Sequence, residues 1–130
     1  MNGLVLDASV ILSLIKREPR AERLLAAMEP GVVPAVSAVN MAEVVGKLAL
    51  TGAPEARIRE AIRLIPMEVV PFGDEQAYVA GLMRPLTETL GLSAGDRACL
   101  ALAQSLGAVA VTTDRPMGQA SVGVEIRVIR

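Results

Sequence analysis

The stretch that most constrains this chain is LSAGDRACLALAQSLGAVAVTTD, residues 92–114, which reads as a helix turned straight back into a buried strand. Ser93 and Asp96 have the S-x-x-D spacing of a capping box at a helix start. Residues 98–103 are apolar almost all round, as in a helix packed on several sides. Gly107 supplies the stop, and residues 108–112 form a short apolar run of buried-strand type. A helix of about 14 residues is roughly 21 Å long, and a strand of about five residues is roughly 17 Å. With only a glycine turn between them, the helix has to run back along the strand. Asp96, at the helix start, and Asp114, just past the strand end, then arrive at one spot.

The remainder of the chain alternates in the same way. Strands are predicted at residues 3–6, 32–36, 67–71, 108–112 and 125–129. Helices are predicted at 8–17, 19–28 (opened by Pro19), 37–50 (capped by Ser37), 54–65 and 74–89 (capped by Asp74, kinked at Pro85). Pro30-Gly31 and Gly52 break the pattern, and residues 115–119 form a turn before the last strand. Strands separated by helices define an α/β fold with a mostly parallel sheet. A 52% hydrophobic content excludes disorder and suits strands buried on both faces. Residues 1–130 are expected to form one domain with a substantial core.

What is missing narrows the chemistry. The chain has no histidine, which removes Ser-His-Asp and Cys-His nucleophile systems and His/Cys zinc sites. Phe72 and Tyr78 are the only aromatic residues, too few for a base-stacking platform. No apolar run reaches the 18 or more residues of a membrane span. The first residues resemble a signal peptide only loosely, since Asp7 interrupts the apolar run and the positive charges follow it; a cytoplasmic location is expected. The lone Cys99 sits among apolar helix residues and reads as a core thiol. Carboxylates, hydroxyls, arginines and a hard metal ion remain as chemical resources.

Taken singly, each acid has an ordinary reading. Asp7 can cap the helix that follows it, and Asp96 can serve only its capping box. Asp114 before Arg115-Pro116 can be a turn residue, and Glu43 lies with Asn40 and Lys47 on a polar stripe of the kind that usually faces solvent. Their shared location alters the balance. Residues just past parallel strands lie on one sheet edge, where ligands of open α/β sheets bind at the point of strand-order reversal. Asp7 and Asp114 follow strands, Glu43 lies in the first half of a helix leaving that edge, and Asp96 begins a helix there. Carboxylates gathered so closely need a counter-charge, which a divalent cation with oxygen ligands supplies.

The segments LVLDAS, SAVNMAEVVGKL, LSAGDRACLALAQSLG and AVTTD, in this order, resemble a PIN domain of the VapC-like toxin group, across essentially the whole chain. The resemblance implies a three-layer α/β/α sandwich with strand order 3-2-1-4-5 and an endoribonuclease site dependent on Mg²⁺ or Mn²⁺. Asp7, Glu43, Asp96 and Asp114 match the family's acidic quartet. Ser9, Asn40 and Thr112 match polar positions that often flank it, and Arg97 and Arg115 adjoin the acids where they could steady a phosphate. Arg115-Pro116-Met117 departs from the pattern, in which an aromatic residue often follows the last acid. The partners implied are an RNA substrate and a cognate antitoxin that blocks the site; a homodimer is also expected.

The net charge of −1 looks adverse to RNA, yet sequestering four of the fourteen acids leaves the remaining surface net positive. Lys16, Arg17, Arg20 and Arg23 form one basic cluster, and Arg57, Arg59 and Arg63 another. Two other classes compete. A phosphatase of the haloacid dehalogenase type needs a second Asp two places after the first, where this chain has Ser9. A catalytically silent module would use an apolar groove between the first two helices and the 37–50 helix to bind an amphipathic peptide.

Overall fold

A computed structural model describes residues 3–130. Five short parallel strands, β1 (Leu4–Leu6), β2 (Ala35–Ser37), β3 (Glu68–Val70), β4 (Val109–Thr112) and β5 (Ile126–Val128), form one sheet in the order β3-β2-β1-β4-β5. The sheet is parallel throughout, with β1 central. Between the strands run α1 (Ala8–Ile15), α2 (Pro19–Ala26), α3 (Ala38–Leu50), α4 (Glu55–Arg63), α5 (Asp74–Leu82), α6 (Arg84–Thr87) and α7 (Ala94–Leu106), and α8 (Arg115–Gly118) precedes β5.

Alternation along β1 assigns its side chains to opposite layers. Val5 joins a core with Cys99, Leu100, Leu102 and Ala110 on the α5/α7 side. Leu4 and Leu6 join Val10, Ile11, Val44 and Val111 on the α1/α3 side. A three-layer α/β/α sandwich results. Its helix α7 is buried on nearly every side, with every residue from Ala98 to Ala103 inaccessible to solvent.

Local chemistry fixes the turn that brings α7 back along β4. Gly107 adopts the left-handed conformation at φ 61°. Ala108 N–H bonds Ala103 O at 2.9 Å and Gly107 N–H bonds Gln104 O at 3.2 Å, which is a Schellman ending. At the other end, Ser93 Oγ accepts from Asp96 N–H at 3.1 Å and Asp96 Oδ2 accepts from Ser93 N–H at 2.8 Å. The capping box expected from the S-x-x-D spacing is therefore complete.

Elements differ from expectation where tertiary packing decides. The 74–89 segment is not one kinked helix: α5 ends at Leu82, α6 is a single turn, and a 3₁₀ turn follows at Glu88–Leu90. Pro85 has no N–H for the helical ladder, and Thr87 Oγ1 bonds Met83 O at 3.0 Å, closing the interrupted turn with a side chain. Gly73, not Asp74, stands at the α5 cap position. The 115–119 turn is a one-turn helix whose buried Met117 fills the core.

Candidate active site

The chain winds outward from β1 to β2 and β3, then crosses through α5–α7 to β4 and β5. Strand order thus reverses between β1 and β4, and the edge beyond their carboxyl ends is the expected ligand position. Asp7 lies at that reversal. It is 5% exposed, and its backbone N–H bonds Val111 O at 2.9 Å, continuing the β1–β4 pairing.

Two hydroxyls hold the Asp7 carboxylate. Ser9 Oγ donates to Asp7 Oδ2 at 2.8 Å and Thr112 Oγ1 donates to the same oxygen at 2.9 Å. Each hydroxyl also accepts a backbone bond from the β4 exit: Thr113 N–H to Ser9 Oγ at 3.1 Å and Asp114 N–H to Thr112 Oγ1 at 3.0 Å. Asp114 is thereby tied to Asp7 through one side chain, although the bond is made by its backbone. Burial pushes the Asp7 carboxyl above the ordinary carboxylate range, the charge of Asp96 adds to this, and the two hydroxyl bonds oppose it.

Glu43 does not lie on a solvated stripe. It is half-buried on α3, where Asn40 Nδ2 donates to Glu43 Oε1 at 3.0 Å and to Gly95 O, in the first turn of α7, also at 3.0 Å. Burial raises the Glu43 pKa, with the charges of Asp7 and Asp96 acting in the same direction. Asp7, Glu43 and Asp96 therefore feel one another electrostatically. Arg97 donates from Nη1 to Leu92 O at 2.8 Å, bracing the loop before α7, and Arg115 is exposed beyond Asp114.

Gly95 is the residue that pattern reading overlooked. A Cβ built there would collide with Glu43 Oε1 and lie 2.6 Å from its Cδ. The available signal was a glycine in the first turn of a helix, where it weakens the helix and so calls for a packing reason.

Among the described residues none of the four acids is in an ion pair, and no three acidic or thiol side chains stand at the spacing of a preformed ion cage. The donor set nevertheless fits a hard divalent cation. It consists of carboxylate oxygens; the most buried of them has a raised pKa and, among the described residues, no ion-pair partner, and three repel one another. The buried Asn40 Oδ1, unpartnered among the described residues, is a further oxygen donor nearby.

The PIN domain family model matches residues 4–122, and the chain belongs to that family. No curated protein matches the sequence significantly. Similar solved structures include DNA-bound VapBC from Salmonella typhimurium, at 22% identity and TM-score 0.79, covering 98% of each chain. VapBC2 from Rickettsia felis, bound to a promoter DNA fragment, is similar at 16% identity and TM-score 0.77, again over 98% of both chains. VapC20 from Mycobacterium tuberculosis, described as a toxin cleaving the sarcin–ricin loop, is similar at 22% identity and TM-score 0.68, over 83% of this chain and 87% of that one. At such identities the likeness establishes the fold.

Proposed function

We propose that this PIN-domain protein is a divalent-metal-dependent endoribonuclease, the toxin member of a toxin–antitoxin pair, acting in the cytoplasm. The observation that carries the reading is Asp7, a buried carboxylate held by two hydroxyls at the strand-order reversal and electrostatically coupled to Asp96 and Glu43. A purely structural acid at this position would be expected to have a cationic partner.

Asp7, Asp96 and Asp114 are the proposed ligands of Mg²⁺ or Mn²⁺, and Glu43 ligates or orients the attacking water. When bound, such an ion neutralises phosphate charge and lowers the pKa of a water molecule. Ser9 and Thr112 fix the direction of the Asp7 carboxylate, and Asn40 fixes that of Glu43. Arg97 has guanidinium donors beyond the one on Leu92 O, and together with Arg115 it is proposed to steady the scissile phosphate. With so few aromatic residues, RNA is gripped by backbone charge and shape.

The expected antitoxin has a suitable surface. An apolar groove of about 640 Å³ lies between α3 and α4, bounded by Met41, Val45, Ile58, Ile62 and Val69. Glu55, Arg59 and Arg63 line it as well; Glu55 pairs with Arg59 at 2.7 Å, and Arg63 favours an amphipathic segment with an acidic flank. Tyr78 and Leu82 of α5 and Leu86 of α6 form an exposed apolar strip proposed to join two copies of the chain.

Mapping RNA 5′ ends after induced expression tests the function. Wild type should create new ends at a limited set of positions, and Asp7→Asn should create none. The same new ends with both proteins would rule out this site as their source.

A further inference from the structure

Gly95 lies between the capping residue Ser93 and Asp96, and it is buried. Glycine is among the poorest helix formers, so its place in the first turn of α7 requires a compensating contact. The three atoms nearest to a Cβ built at Gly95 are Oε1, Cδ and Oε2 of Glu43, the last at 2.9 Å. No backbone atom of α3 is among them. The space a side chain at this position would enter first is therefore occupied by a carboxylate.

Asn40 holds the carboxylate in that notch. It is fully buried, and its Nδ2 donates at 3.0 Å both to Glu43 Oε1 and to Gly95 O. Two acceptors around one nitrogen fix the amide orientation. A single side chain thus ties α3 to the turn of α7 that carries Asp96.

We propose that Gly95 and Asn40 are positioning residues that dock the Glu43 carboxylate against the first turn of α7, beside Asp96, and so set the affinity of the acid cluster for a divalent cation. The effect on affinity rests on the reading of Asp7, Glu43 and Asp96 as cation ligands; the dock itself does not.

The test is a double-mutant cycle of wild type, Gly95→Ala, Glu43→Ala and the double variant, read by Mn²⁺ calorimetry and by metal-free melting temperature. The atoms the alanine meets first belong to the flexible end of Glu43, so Gly95→Ala should fold with an unchanged circular dichroism spectrum. Its Mn²⁺ affinity should fall by about tenfold or more. In the Glu43→Ala background the same change should alter affinity by less than about twofold, and should raise the melting temperature by a few degrees through helix propensity. Asn40→Ala should lower affinity by a larger factor where Glu43 is present than in the Glu43→Ala background. Wild-type affinity in Gly95→Ala, or an equal loss in both backgrounds, would overturn the proposal. If wild type takes up no Mn²⁺, the metal reading fails. The thermal cycle then decides the dock, and equal shifts in both backgrounds would refute it.

Discussion

Thr112 and Asp7, at the ends of adjacent strands, share a 2.9 Å hydrogen bond in which Thr112 Oγ1 donates to Asp7 Oδ2 while accepting 3.0 Å from Asp114 N–H. The hydroxyl is used in both directions, and the β4 exit is registered against the acid that follows β1.

Thr112→Val keeps the side-chain shape and removes both bonds. It leaves a buried carboxylate with one hydroxyl donor and Asp114 N–H with none, a loss of about 1–3 kcal/mol. The urea midpoint should fall accordingly. RNA cleavage and Mn²⁺ affinity should drop by about 10–100-fold, the usual cost of removing a residue that orients a metal ligand.

Asp7→Asn should separate stability from function. Asparagine keeps an oxygen for Ser9 and Thr112 and removes a charge whose burial is unfavourable. The melting temperature of the metal-free protein near about pH 7.5 should rise, while the stabilisation that Mn²⁺ gives the wild type through native-state binding should disappear. Differential scanning fluorimetry with and without Mn²⁺ reads both effects.

The pH dependence follows from the raised values of Asp7 and Glu43, both caused first by burial. An acid with a raised folded pKa is ionised more readily in the unfolded chain. It therefore lowers stability as pH rises from its ordinary value to its folded one, and the penalty remains above that. Metal-free protein should gain stability when acidified from neutrality through the raised values. Glu18, whose pKa is lowered chiefly by its bond from Ser13, has the opposite sign. The difference between wild type and Asp7→Asn cancels it: the variant's stability advantage should shrink as pH falls toward the ordinary Asp value. Urea titrations across this range provide the check.

Leu82→Glu places a charge at the centre of the exposed strip of Tyr78, Leu82 and Leu86. Light scattering should show wild type as a dimer and the variant as a monomer, with little change in melting temperature because Leu82 is solvent-facing within one copy.

The legible parts of this molecule were the local ones. The capping pair Ser93/Asp96 and the left-handed Gly107 announce both ends of α7 within a few residues, and they carry Asp96 and Asp114 to one edge. Element lengths were less legible. The apolar run that ends in β2 begins with Val32 and Val33, yet both are exposed and lie outside the strand, because hydrophobicity alone does not define the paired segment. The setting of Glu43 was hidden for another reason. Its carboxylate fills a notch made by a glycine on a different helix, a relationship with no periodicity to reveal it.

Whether the cluster around Asp7 cuts RNA with a divalent ion is decided by a gel assay of the purified protein, free of any antitoxin, on end-labelled structured RNA. Wild type should cleave internally with Mg²⁺ or Mn²⁺, lose the activity on chelation and regain it when metal is added back, whereas Asp7→Asn and Asp114→Asn should stay folded and cut nothing. Cleavage that persists in chelator, or that survives in folded Asp7→Asn, would contradict the proposed function.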